Sequence, residues 1–382
     1  MESIYLDHAA TTPIAKEVWE AMREASEDAF GNPSSIHSYG RKARKLLDEA
    51  RSVIAQSIGA KEKEIIFTSG GTEADNIAVI GTAMKKRACG NHIITTAAEH
   101  HAVLHAAEYL ETQGFEVTYL EVKEDGKIQI NDLLKALRED TILVSIMFAN
   151  NETGVIQPIQ EIGSLLKDHA CYFHTDAVQA FGTIEIDVND LGVDLLSVSG
   201  HKINGPKGTG FLYAGQQVDF EPISYGGEQE RKRRAGTENT TGIAGLAKAV
   251  ELASVQREKR ALKYTACKQA FLNELEKADV QFKVNGDDAS LIASTVNISF
   301  QNTNVEQLLM NFDLSGIAAA SGSACTAGSH EPSHVLVAMF GRDDARTMNS
   351  IRFSFGVLNT VDQAVEAATR VANIVNRLAK RR

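Results

Sequence analysis

Short apolar runs separated by stretches of helical spacing fill the first two-thirds of this chain. Runs at 65–67, 92–95, 117–120, 142–148, 172–174 and 195–199 have the length and composition of buried strands. Between most of them, apolar residues recur at helical spacing, as at 131–137 and 159–166. Strands alternating with helices predict an α/β fold, with a mainly parallel sheet covered on both faces. Upstream, Thr12-Pro13 reads as an N-cap followed by proline at the first helical position, with Ile14, Val18 and Met22 four apart. A second amphipathic helix is predicted over 41–58, stopped by Gly59. The run 210–214 follows a tight Gly-Pro-Lys-Gly turn and is expected to be antiparallel. From about 250 to 275 the pattern turns long and helical, which predicts a bridge to a smaller C-terminal α/β domain. The expected division is a large domain over 16–255 and a small one built from 1–15 and 256–382.

Composition narrows the class. The chain has 382 residues, enough for two or more domains with a substantial core. A net charge of −11 argues against general nucleic-acid binding, which needs a basic footprint. Arg231-Lys232-Arg233-Arg234 is a local exception, readable as a solvated loop or as a phosphate or partner contact. No apolar stretch approaches the ~18 residues of a membrane span. The first residues lack the basic-then-apolar order of a secretory leader. Cys89, Cys171, Cys267 and Cys325 show no CxxC spacing, which argues against a zinc site and a disulfide framework. The expected location is a reducing cytoplasm, with no metal.

Four places carry chemistry. Lys202 follows the apolar run Leu195-Leu196-Ser197-Val198 and precedes a Gly-Pro turn, a setting that suits Schiff-base chemistry. Asp176 ends the strand pattern Tyr172-Phe173-His174-Thr175-Asp176. A lysine for an aldehyde and an acid for a ring nitrogen are what pyridoxal phosphate needs from its protein. Phe67-Thr68-Ser69-Gly70-Gly71-Thr72 supplies a strand, a glycine turn and a helix start able to hold an anion. Gly-Gly before a helix is common turn chemistry, and it gains weight here from Asp176 and Lys202 downstream. Cys325 sits in Ser321-Gly322-Ser323-Ala324-Cys325-Thr326-Ala327-Gly328-Ser329, small and polar like an exposed loop, where a thiolate can act as nucleophile. Cys171, beside Tyr172 and Phe173, reads instead as a buried structural cysteine.

These motifs resemble those of the group I cysteine desulfurases, the iron–sulfur-cluster and nitrogen-fixation type, within the class V aminotransferase family. The resemblance runs through Tyr5-Leu6-Asp7-His8-Ala9-Ala10-Thr11-Thr12-Pro13, Gly31-Asn32-Pro33-Ser34-Ser35, Glu99-His100-His101-Ala102-Val103-Leu104 and Asn150-Asn151-Glu152-Thr153-Gly154. It continues through His174-Thr175-Asp176, Ser199-Gly200-His201-Lys202, Arg234-Ala235-Gly236-Thr237-Glu238, Ser321-Gly322-Ser323-Ala324-Cys325 and Ile351-Arg352-Phe353-Ser354. It implies a pyridoxal 5'-phosphate enzyme of fold type I, aspartate-aminotransferase-like, normally a homodimer. The implied reaction turns L-cysteine into L-alanine through an aldimine on Lys202, leaving sulfur on Cys325 as a persulfide. The resemblance implies that His100 stacks on the cofactor ring and that Gly71, Thr72, Ser199 and His201 lie at its phosphate. Gln179 and Asn151 are implied near its phenolic oxygen and the substrate edge. Thr237 is implied to reach the phosphate from the neighbouring subunit. Arg352 would grip the substrate carboxylate, with Asn32 and Asn151 close by. The sulfur would pass to an acceptor protein, an iron–sulfur scaffold or a tRNA 2-thiouridylase. A selenocysteine lyase or an aminotransferase of the same fold is the competing expectation, and a nucleophilic thiol in a loop argues against the aminotransferase.

Overall fold

The computed structural model describes residues 3–286, 290–322 and 331–380. In chain order its strands are β1 (Ile4–Tyr5), β2 (Ile65–Thr68), β3 (His92–Thr96), β4 (Glu116–Leu120), β5 (Thr141–Ser145), β6 (Tyr172–Asp176), β7 (Leu195–Ser199), β8 (Gly210–Ala214), β9 (Phe282–Val284), β10 (Thr295–Phe300), β11 (Ile317–Ala318) and β12 (Ser350–Ser354). Seven of them form one sheet in the order β2-β8-β7-β6-β5-β3-β4. Its pairings from β4 to β7 are parallel, and β8 runs antiparallel to both β7 and β2. Strands β2, β3, β5, β7 and β8 are buried along their whole length, as strands covered on both faces must be. The antiparallel direction of β8 follows from the short turn before it, because a parallel return would need a long crossover.

A second, smaller group joins β12-β10-β9 in an antiparallel sheet and β1 with β11 in a parallel pair. Its core is aromatic, with Phe271, Phe300, Phe312, Phe353 and Phe355 fully buried. Removing one such ring costs about 3–5 kcal/mol in comparable cores. One helix, Thr240–Lys277, serves both cores. Its first half packs Ile243, Leu246, Ala249, Val250 and Ala253 against the large sheet. Its second half packs Tyr264, Cys267, Phe271 and Leu275 against the aromatic cluster. At about 1.5 Å per residue it spans roughly 57 Å.

Most predicted helices form within a few residues of their expected ends: Ser38–Ser57, Ile130–Ala136 and Ile159–Leu166. The first is a correction. The helix expected to begin at Thr12-Pro13 begins at Lys16 instead, with Ala15 as its N-cap residue. Thr12 is occupied elsewhere. Its hydroxyl donates to the His201 carbonyl at 2.8 Å and accepts from the Asn204 amide at 2.8 Å. The cap-like residue therefore ties the N-terminal segment to the turn that carries Lys202.

Candidate active site

The carboxyl ends of β5, β6 and β7 open into a cavity of about 300 Å³, the place where parallel α/β sheets hold ligands. Beyond Ser199 the chain turns through Gly200–Lys202 in a single 3₁₀ turn. A side chain at Gly200 would meet Thr209 Oγ1 at 2.8 Å, so only glycine allows that turn to pack. The turn delivers Lys202 into the cavity, where Nζ donates to the carbonyls of Ala9 and, at 2.9 Å, Ala10. Two carbonyl acceptors hold the amine at a fixed point.

Asp176 reaches the same cavity from the end of β6 and is buried. Burial raises its pKa, opposed by a hydrogen bond from the Val178 amide at 2.8 Å and by the Lys202 charge. His100 caps the helix His101–Thr112, its Nδ1 accepting from the Ala102 amide at 3.1 Å. Burial first, then the Lys202 charge and the neighbouring His101, push its pKa down to about 4. With Nδ1 accepting a backbone N–H, the neutral ring carries its hydrogen on Nε2 and is a stacking face with a donor at that nitrogen. His201 is likewise pushed down to about 4 by burial, with Nδ1 3.2 Å from Thr11 Oγ1.

The glycine turn forms as expected. Gly70 has φ +152°, and a side chain at Gly71 would stand 2.7 Å from Val178 Cγ2. The helix starting at Gly71 continues through a π-helical stretch, Ile77–Gly81, to Lys86. Its first residues, Gly71 and Thr72, line the cavity beside Ser199 and His201. An amine, an acid, a neutral imidazole and a helix start suit the ring, aldehyde and phosphate of pyridoxal phosphate. Asp75, His100 and Asp176 offer ligand atoms within 4.8 Å of one another. Metal ions take deprotonated carboxylates, and burial raises the pKa of both acids, so the trio suits an organic cofactor better.

On the far wall, Arg352 comes from β12 of the small sheet. Its Nη2 meets Asp7 Oδ1 at 2.7 Å and its Nη1 donates to the Asn151 carbonyl at 2.9 Å. Its buried Nε finds no hydrogen-bond partner among the described residues. Gln179 lines the cavity with Nε2 on the Ala9 carbonyl at 3.0 Å.

The cavity thus gathers Gly71, Thr72, His100, Asn151, Asp176, Gln179, Ser199, His201, Lys202 and Arg352. Thr237 and Asn32 do not line it and are exposed. Cys325 lies outside the described residues. Sequence reasoning gave no role to Asp7, Asp75, Glu99 or His174. Asp75 had a legible signal, an acid between Ala74 and Ile77 on an otherwise apolar helix face. Glu99 had none, because its burial comes from long-range contacts. It accepts from the Met147 amide at 2.8 Å and Thr96 Oγ1 at 3.1 Å, and burial drives its pKa up to about 8.

The family described as aminotransferase class-V matches residues 4–366. A protein named putative cysteine desulfurase IscS 1, from Bacillus subtilis, is 57% identical over 378 residues, covering 99% of this chain and 100% of the relative. A cysteine desulfurase IscS from Methanosarcina thermophila is 48% identical over 377 residues, covering 99% and 93%. Among solved structures, a NifS-like protein superposes with a TM-score of 0.92 at 33% identity, covering 98% of this chain and 100% of the other. A structure described as SspA in complex with cysteine gives 0.82 at 38% identity, covering 92% and 98%.

Proposed function

The chain belongs to the class-V aminotransferase family, and we propose that it acts as a cysteine desulfurase with pyridoxal 5'-phosphate as cofactor. It converts L-cysteine and an enzyme thiol into L-alanine and an enzyme persulfide, and passes the sulfur to acceptors. The observation that carries this reading is the convergence of Lys202, Asp176, His100 and Arg352 on one cavity.

When bound, the cofactor withdraws electrons from the substrate carbon skeleton and so loosens its carbon–sulfur bond. Lys202 would hold the cofactor aldehyde and then move a proton at the substrate Cα. Asp176 would face the ring nitrogen and keep it protonated. His100, neutral through burial and with Nδ1 taken by the Ala102 amide, would cover the ring face and offer the substrate an Nε2–H donor. Gly71, Thr72, Ser199 and His201 would hold the phosphate. Gln179 and Asn151 would border the ring oxygen and substrate, and Arg352 would fix the substrate carboxylate. Cys325 would take the sulfur, its thiolate forming the new S–S bond as the substrate C–S bond breaks.

The site is proposed to be completed in a homodimer, with Thr237 and Asn32 serving the partner's cavity. Two features support this: both residues are exposed, and Asn32 is flanked by exposed Phe30 (67%), Ile36 (91%) and Tyr39 (56%). A cytoplasmic location is proposed, supported by unpaired Cys89, Cys171 and Cys267. No helix among the described residues is long and apolar enough to cross a membrane. The acceptor is proposed to be an iron–sulfur scaffold or a tRNA 2-thiouridylase, to be identified by transfer of radiolabelled persulfide.

The test uses the holoenzyme and L-cysteine. One alanine per persulfide without a reductant, and continued turnover once an acceptor thiol is added, is expected. A 2-oxo acid product in place of alanine would instead mark an aminotransferase.

A further inference from the structure

Asp75 is a buried acid on the cavity wall to which the reaction above assigns no task. It is 1% exposed, on the first turns of the helix that starts at Gly71. The hydroxyl of Ser197 bonds its carboxyl group, yet Oδ1 has no hydrogen-bond partner among the described residues. The nearest basic group to that oxygen is His174, with Nε2 3.6 Å away. His174 supplies no charge. Its Nδ1 lies 2.8 Å from Ser145 Oγ and its Nε2 3.0 Å from Ser197 Oγ, and burial pushes its pKa down to about 3. The pairing of β5, β6 and β7 sets this arrangement, with Ser145 opposite His174 and Asp176 opposite Ser197.

Carboxyl oxygens of Asp75 and Asp176 lie within 4.8 Å of each other. Two carboxylates this close and this buried do not both ionise, and one proton stays with the pair. The surroundings decide its place. Asp176 has the Val178 amide and the Lys202 charge to stabilise an anion. Asp75 faces two acids, Asp176 and Glu99, across the same buried space. His100, also facing it, is neutral.

We propose that Asp75 keeps its proton in the working protein, leaving Asp176 as the single carboxylate toward the cofactor ring nitrogen. Asp75 is then a positioning residue: as a neutral acid it fixes where the site's negative charge sits. This rests on the role given to Asp176 above.

The test is infrared spectroscopy of the holoenzyme at pH 8, compared with Asp75→Asn and Glu99→Gln. The wild type should show the carbonyl stretch of a protonated carboxylic acid. A component of that band should vanish in Asp75→Asn and persist in Glu99→Gln. The neutral isostere should also leave the pH titration of the cofactor's visible absorption within about half a unit of wild type, because no charge has been removed. A band unchanged in Asp75→Asn, or abolished entirely by Glu99→Gln, overturns the proposal. So does a titration shifted by more than about one unit in Asp75→Asn, the mark of a lost neighbouring charge. If Asp75→Asn does not fold, the Glu99→Gln band alone decides. An Asp176→Asn variant whose cofactor absorption titrates with pH as in the wild type would refute the Asp176 role separately, whereas the infrared difference between wild type and Asp75→Asn reads the Asp75 proton itself.

Discussion

Replacing Arg352 by lysine keeps the charge and removes the fork, and the structure sets the size of the loss. The guanidinium side chain is 6% exposed, with Nη2 held by Asp7 and Nη1 by the Asn151 carbonyl. A fork so anchored points at one place, whereas a lysine ammonium on a flexible stem would settle on Asp7. A substrate carboxylate would then lose one charge-assisted hydrogen bond and its alignment. At about 1.5–3 kcal/mol for such a bond, kcat/KM for L-cysteine should fall roughly 10- to 150-fold. Alanine formation over a range of cysteine concentrations reads this. A second measurement separates carboxylate binding from general damage. L-alanine and ethylamine differ only by the carboxylate, and their affinities for the holoenzyme can be titrated through the cofactor's absorption. Arg352→Lys should weaken L-alanine by a similar factor and leave ethylamine within about twofold. Equal weakening of both ligands, or a loss in kcat/KM below about threefold, would refute the carboxylate role.

Lys202→Ala should fold normally and lose turnover by at least about a thousandfold, the range expected when a positioned proton-transfer group is removed; near-wild-type alanine production would sink the assignment. Cys325→Ser should still change the cofactor spectrum on adding L-cysteine but release no alanine, because a serine hydroxyl offers almost no anion near neutral pH. Sulfur found by mass spectrometry on Cys89 or Cys171 of the wild type would contradict this. Glu99→Gln tests the buried acids through stability. The folded pKa of Glu99 is raised to about 8, so the native protein holds a proton there that the unfolded chain releases above its ordinary value of 4.5. Wild-type stability therefore falls as pH rises through that window, and glutamine does not titrate. The melting temperature of Glu99→Gln relative to wild type should climb between pH 5 and pH 8, and a flat or falling difference would show Glu99 ionised in the fold.

The large sheet was legible because its strands are buried on both faces and read as unbroken apolar runs, such as Leu195–Ser199. The two residues proposed to hold the ends of the cofactor were legible for the same reason. A lysine or an acid at the end of such a run is conspicuous, and Lys202 and Asp176 stand there. Thr12 misled, since a hydroxyl before proline looks like a helix cap whether it serves a helix or a turn 189 residues away. The pairing of Asp7 with Arg352 was hidden because it joins residues 345 apart in sequence. Asp75 showed as an acid on an apolar helix face, but Glu99 and His174 belong to a network between strands and helices that no local pattern encodes. A buried carboxyl and an exposed one look alike in sequence until the neighbours that bury it are in place.

The N-terminal segment explains why the site is a unit even though its walls belong to two cores. Residues 4–12 run from the small parallel pair to the Lys202 turn. Ile4 and Leu6 bury into the aromatic core, and the Ser354 amide donates to the Leu6 carbonyl. Asp7 then takes the Arg352 guanidinium, Ala9 and Ala10 turn their carbonyls onto Lys202, and Thr12 closes on His201. Residues 7–12 thus set the spacing between the Arg352 guanidinium and the Lys202 amine. Neither the large sheet nor the small one fixes that distance alone. A shift of the small core, for instance by truncating Phe353, would move Arg352 and Asp7 together while Lys202 stayed with the large sheet. The ångström-scale mismatch would fall on the substrate, between its carboxylate and its Cα, where positioning has its largest effect on rate.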